Sequence, residues 1–79
     1  MVKKDIRFSA TAPTTGEIVE FHATVGERHL DGSQRITYYE VGNNNVQIDA
    51  GAVTSRDTDA TLRQRVLLTS NRQREHKLR

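Results

Sequence analysis

The chain contains no cysteine and no tryptophan, a single proline, and only four aromatic rings: Phe8, Phe21, Tyr38 and Tyr39. Without cysteine there is neither a disulfide framework nor a thiolate metal cage, so nothing covalent staples a domain of this size. No stretch approaches the roughly 20 apolar residues of a membrane span. Met1-Val2-Lys3-Lys4-Asp5 leads into an alternating segment, not an apolar signal core. The expectation is a cytoplasmic protein that touches no membrane. Apolar material is scarce as well: Leu, Ile, Val and Phe make up 18 of the 79 residues, just above the roughly 20% at which disorder becomes the default. A chain of this length holds one domain, and so thin a core points to self-association or a partner as a further source of stability.

What is present is a run of period-two segments. Ile6, Phe8, Ala10 and Ala12 alternate with Asp5, Arg7, Ser9 and Thr11, as on a strand with one covered face. Ala12-Pro13-Thr14-Thr15-Gly16 supplies a fixed φ and a permissive glycine, so the chain turns back into a second strand with Val19, Phe21, Ala23 and Val25 on one side. Ile18 falls on the polar side at its entrance. The polar segment from Gly26 to Ser33 has no period and reads as a loop. From Arg35 to Val41, Ile36 and Tyr38 share one face, while Thr37, Tyr39 and Val41 share the other, so both faces carry apolar area. Gly42-Asn43-Asn44-Asn45 is the strongest turn signal and predicts antiparallel pairing with a fourth strand through Val46, Ile48, Ala50 and Ala52.

Beyond Val53 the pattern changes. Thr54-Ser55-Arg56-Asp57-Thr58-Asp59 is rich in capping side chains, and its two acids favour the positive end of a helix dipole, so a helix is predicted from residue 58 or 59. Thr61 with Gln64 and Ser70 with Gln73 both have capping-box spacing, which allows a second start or a break near Ser70. On a wheel of 100° per residue, Leu62 and Val66 fall together while Leu67 and Leu68 run on round the cylinder. The Gln, Arg and Leu content favours helix over a fifth strand. The fold expected is therefore α+β: a small antiparallel sheet of about four strands followed by one C-terminal helix. An all-β five-stranded barrel with a basic tail is the alternative. Residues 1–70 form the domain in this reading, and 71–79 are a basic extension, frayed or disordered.

Charge is distributed unevenly. Residues 1–59 carry six basic against nine acidic groups, net −3; residues 60–79 carry Arg63, Arg65, Arg72, Arg74, Lys77 and Arg79 against Glu75 alone, net +5. Such asymmetry marks either a solubilising terminus or an arm that meets a polyanion. Arg65, Arg72 and Arg79 share one side of a continuous helix, and Arg63, Arg74 and Lys77 the other, which suits loose phosphate contact better than one specific groove.

Residues with chemical capacity each meet a plain structural explanation. Glu20 with His22 and His29 with Asp31 could ligate a metal only if the two pairs converged, for which the spacing gives no reason, so no metal and no cofactor are expected. Asp57 and Asp59 are explained as helix caps. There is no Gly-x-Ser-x-Gly elbow and no cysteine nucleophile, so no enzyme is expected and no catalytic residue is assigned. Tyr38 and Tyr39, adjacent in a strand, point to opposite sides; packing of both in the core with hydroxyls at the rim is favoured over an exposed Tyr39 that stacks on a base or anchors an interface.

Two functions fit these features. The first is a non-catalytic protein-interaction module, an assembly subunit or small inhibitor of the sort encoded by mobile elements. It works through its sheet surface at Tyr39 and Val41 and associates with itself or a larger protein. The alternative is a nucleic-acid-binding module in which Arg63, Arg65, Arg72, Arg74, Lys77 and Arg79 contact phosphates with Tyr39 stacking.

Overall fold

The computed structural model describes residues 4–13, 15–42 and 45–77, with side chains up to Glu75. Its elements run β1 (Lys4–Thr11), β2 (Ile18–Val25), β3 (Arg35–Glu40), β4 (Ile48–Ala52) and α1 (Asp59–Lys77). The four strands form one antiparallel sheet in the order β1-β2-β3-β4, and the helix packs on one of its faces. This is the α+β arrangement expected, and residues 59 to 77 are helix, not a fifth strand.

Local chemistry explains each element. Alternation in β1 and β2 puts Ile6, Phe21, Ala23 and Val25 into the core, with Phe8, Ala10 and Val19 packed partly against it. The first turn closes through Ala12 N–H to the Glu17 carbonyl and Gly16 N–H to the Ala12 carbonyl, both 2.8 Å. In the β3–β4 connection Gly42 (φ 85°) and Asn45 (φ 51°) both take left-handed backbone, and the Gly42 N–H donates to the Asn45 side chain at 3.3 Å. Glycine and asparagine are the residues that accept such angles at least cost. The central Asn43 and Asn44 lie outside the described residues.

The helix starts on a reciprocal cap. Thr58 N–H donates to Thr61 Oγ1 at 2.8 Å, and Thr61 N–H donates to Thr58 Oγ1 at 3.3 Å. This is a capping box with threonine where glutamate or glutamine is usual, and it replaces the Thr61–Gln64 pairing read from spacing alone. Asp57 accepts from Thr54 N–H at 2.9 Å and from Arg65 at 3.0 Å. The Thr54 amide, followed by the charge of Arg65, holds the Asp57 carboxyl below its ordinary 3.8. No break occurs at Ser70. That residue is buried inside the helix and its hydroxyl donates to Glu40 Oε2 at 3.1 Å.

One cluster forms the core, in which Leu62 and Val66 from α1 meet Ile36, Tyr38 and Ala50 from β3 and β4. Phe8 and Phe21 stack with centroids 5.1 Å apart, and Phe21 meets Tyr38 edge-on at 6.0 Å. The buried row of the helix, Leu62–Val66–Ser70, follows i, i+4, i+8 and continues into Arg74, whose guanidinium pairs with Glu40 at 2.7 Å. Half of that row is polar, and Leu68 on another side is 51% exposed. The wheel therefore shows no apolar stripe although the helix is well seated. Among the described residues the buried Tyr38 hydroxyl has no hydrogen-bond partner within bonding geometry, the nearby Ser70 giving its hydrogen bond to Glu40. Burial, then the charge of Glu40, raises the Tyr38 phenol above its ordinary 10.0.

Two predictions follow from this packing. Ile36 is fully buried, so Ile36→Ala lowers the unfolding free energy in urea by roughly 3 kcal/mol, whereas Leu68→Ala stays within about 0.5 kcal/mol. A carboxyl held below its unfolded value adds stability above that value and loses it as pH falls through the folded one. The melting temperature of the wild type therefore drops on acidification from about pH 5 downward, and Asp57→Asn gives a shallower acid dependence.

Candidate functional site

Among the described residues, no layer lies over the face of the sheet opposite the helix. Strand register sets its rows: Arg7 beside His22 beside Tyr39, and Asp5 beside Thr24, Thr37 and Asp49. Ser9 is paired with Glu20, and Val41 N–H donates to the Glu20 carbonyl at 2.9 Å. Because β3 alternates, Tyr38 and Tyr39 are separated by the sheet: Tyr38 is core, and Tyr39 is half-buried on the open face. Packing of both tyrosines in the core does not occur, since adjacent strand residues cannot share a side.

Tyr39 is held by a chain of polar contacts. Its hydroxyl lies 2.8 Å from His22 Nδ1, and His22 Nε2 lies 3.3 Å from Asp5 Oδ1. The two rings meet edge-on with centroids 5.1 Å apart. An ionised carboxylate can only accept, so Nε2 carries the hydrogen, and in a neutral imidazole Nδ1 then accepts from Tyr39. The arrangement fixes the Tyr39 ring across β2 and β3 and leaves a broad concavity of about 470 Å³ beside it, lined by Arg7, Ser9, Glu20, His22, Tyr39 and Val41 among others. Val41 in its lining is 50% exposed, and Ile18, two residues before Glu20 on the same face of β2, is 76% exposed.

Charge on this face is nearly balanced. Asp5, Glu20 and Asp49 oppose Arg7 and Arg35. Arg35 grips Asp49 with a fork, Nη2 to Oδ2 at 2.6 Å and Nε to both oxygens at 3.1 Å. That fork, with the Gly51 amide, holds Asp49 below the usual carboxylate range and raises the Arg35 guanidinium further.

The six C-terminal cations are not one set. Arg65 turns to the sheet, donating to Asp57 and to the Ala52 carbonyl, and Arg74 is paired with Glu40. Arg63 and Arg72 are exposed, and Arg63 reaches the Asp59 carbonyl at 3.4 Å. The Lys77 side chain and Arg79 lie outside the described residues. Tyr39 stands on the other side of the sheet from all of the described helical arginines, so it is not brought together with them. The Glu40 anchor of Arg74 lies 34 positions away in sequence, and local spacing carries no sign of it.

Glu20 and His22 share the open face, while Asp31 belongs to the loop, where it accepts from Ser33 N–H at 2.9 Å and Oγ at 2.6 Å. Among the described residues no three His, Asp or Glu side chains are gathered for a cation, and no helix is long and apolar enough to cross a membrane. The chain matches no protein-family model, and no curated protein or solved structure is significantly similar to it.

The polar chain predicts the state of His22. Long-range ¹H–¹⁵N spectra near neutral pH show the Nε2–H tautomer, and Tyr39→Phe removes the Nδ1 hydrogen bond and shifts that nitrogen toward its free value. Equal tautomer populations in the wild type contradict the arrangement.

Proposed function

We propose that this protein is a non-catalytic protein-interaction module, an assembly subunit or small inhibitor acting in the cytoplasm. It presents its uncovered sheet face and associates with itself. The observation that carries the reading is that face: a sheet surface uncovered among the described residues, with Tyr39 fixed in place, Val41 and Ile18 exposed on it, and positive and negative groups in near balance. A locked aromatic loses little side-chain freedom on binding, and apolar surface ringed by mixed charge is the composition of protein interfaces. A polyanion finds less there. The carboxylates of Asp5, Glu20 and Asp49 repel phosphate, and two of the helical arginines are already satisfied within the fold. The exposed Arg63 and Arg72 remain the basis of the nucleic-acid alternative.

Sedimentation velocity of the pure protein at two salt concentrations, with and without a mixed RNA and DNA pool, separates the two. The module reading predicts a mass that rises with protein concentration, tolerates salt and ignores the nucleic acid. Salt-sensitive co-sedimentation with nucleic acid that disappears on deleting residues 71–79 overturns it.

A further inference from the structure

The two edges of the sheet are built differently. At the β4 edge the strand is five residues long, its pairing with β3 slips between Arg35 and Thr37, and Gly51 takes φ 107°. Its backbone groups are also occupied by side chains: the Gly51 N–H donates to Asp49 at 3.1 Å, and the Ala52 carbonyl accepts from Arg65. Short length, a bulge and capped polar groups are the devices that stop an edge from pairing further.

β1 has none of them. It runs eight residues without glycine or proline, in unbroken register with β2 from Lys4 opposite Val25 to Thr11 opposite Ile18. Among the described residues no side chain bonds to its backbone. In an antiparallel strand alternate residues direct their N–H and C=O away from the neighbour, so β1 offers a row of outward donors and acceptors. Phe8, partly buried, sits on its helix side.

We infer that β1 is the self-association site: two copies pair their β1 strands antiparallel about a two-fold axis at Ile6, making a continuous eight-stranded sheet with both helices on one side. The inference rests on the module reading above and names its partner, a second copy of this chain. Charge selects the copy and the register. Asp5 and Arg7 are two apart on the open face, exposed, and Arg7 makes no ion pair among the described residues. Pairing about Ile6 sets Asp5 of each copy opposite Arg7 of the other, giving two complementary pairs, with Ile6 on Ile6 and Phe8 against the Lys4 stem. Pairing about Arg7 sets like charges face to face, and pairing about Phe8 leaves Asp5 against Thr11. Cross-strand opposite charges stabilise a sheet and like charges destabilise it.

The test is sedimentation velocity of the full chain over a concentration series, with folding checked by circular dichroism. Each single reversal changes both symmetric pairs, so R7D and D5R each weaken the dimer by roughly tenfold or more. The double variant D5R/R7D restores it, and an equimolar mixture of the two folded single variants forms a heterodimer that neither forms alone. Among the described residues Arg7 holds no side-chain bond, which keeps R7D free of the His22 contact that D5R removes. A folded double variant or mixture that stays monomeric overturns the register. A dimer indifferent to these changes but lost in Y39A/V41S places association on the open face and overturns the edge while leaving the module reading standing. A wild type that is monomeric at every concentration overturns both the edge pairing and the self-association.

Discussion

The seating of Leu62 and Val66 on one face of the sheet is the contact on which everything else in this protein depends. Among the described residues these are the two buried apolar side chains of the helix, and they close the core over Ile36, Tyr38 and Ala50. A single helix covers a single face. Its 19 residues span about 28 Å at 1.5 Å per residue, close to the roughly 26 Å of the eight-residue strands β1 and β2. The large apolar residues that remain, among them Ile18, Leu30, Val41, Val46 and Leu68, stand exposed and scattered over the surface. Among the described residues no second layer covers the sheet, so the opposite face and the sheet edges are left to other interactions, and the candidate surfaces follow from what the core does not cover.

Polar ties reinforce that seating at intervals along the helix. Lys4 pairs with Asp59 at its start, Arg65 spans to Asp57 and the Ala52 carbonyl near its middle, and Arg74 reaches Glu40 toward its end. Arg74 and Glu40 are the most enclosed of the pairs outside the Asp57 cap, with side chains 25% and 15% exposed. Loss of one member of such a pair leaves a charge short of partners in a poorly solvated place. Part of the basic character of the C-terminal segment is thus structural, and the cations left in solvent are fewer than the sequence count implies. The same ties seal the β4 edge, because Arg65 takes its carbonyl, while among the described residues no side chain takes a backbone group of β1.

Much of the architecture was legible in the sequence. Strict alternation in residues 5–12 and 19–25 announced strands whose apolar sets do face the core, and the Gly42–Asn45 turn announced the antiparallel pairing of β3 and β4. The helix start was legible from its cap residues, although the working cap joins Thr58 to Thr61. The seating of the helix was harder to read, because its buried row is completed by Ser70 and Arg74 in place of apolar residues. The surface was less legible still. Tyr39 could be placed opposite Tyr38 by alternation, but the Asp5–His22–Tyr39 chain exists only because strand register sets residues 17 positions apart side by side. The different treatment of the two edges likewise arises from tertiary contacts, to which period and composition are blind.

Amide hydrogen exchange, followed by mass spectrometry or NMR in dilute and in concentrated protein, tests the central claim most directly. The account predicts that alternate amides of β1 exchange fast when dilute and become protected as concentration rises. β2 and β3 stay protected throughout, and the Gly51 amide, held by Asp49, is unchanged by concentration. Protection gained instead at β4, or β1 amides equally slow at both concentrations, would contradict a fold in which one sealed edge leaves the other free to pair.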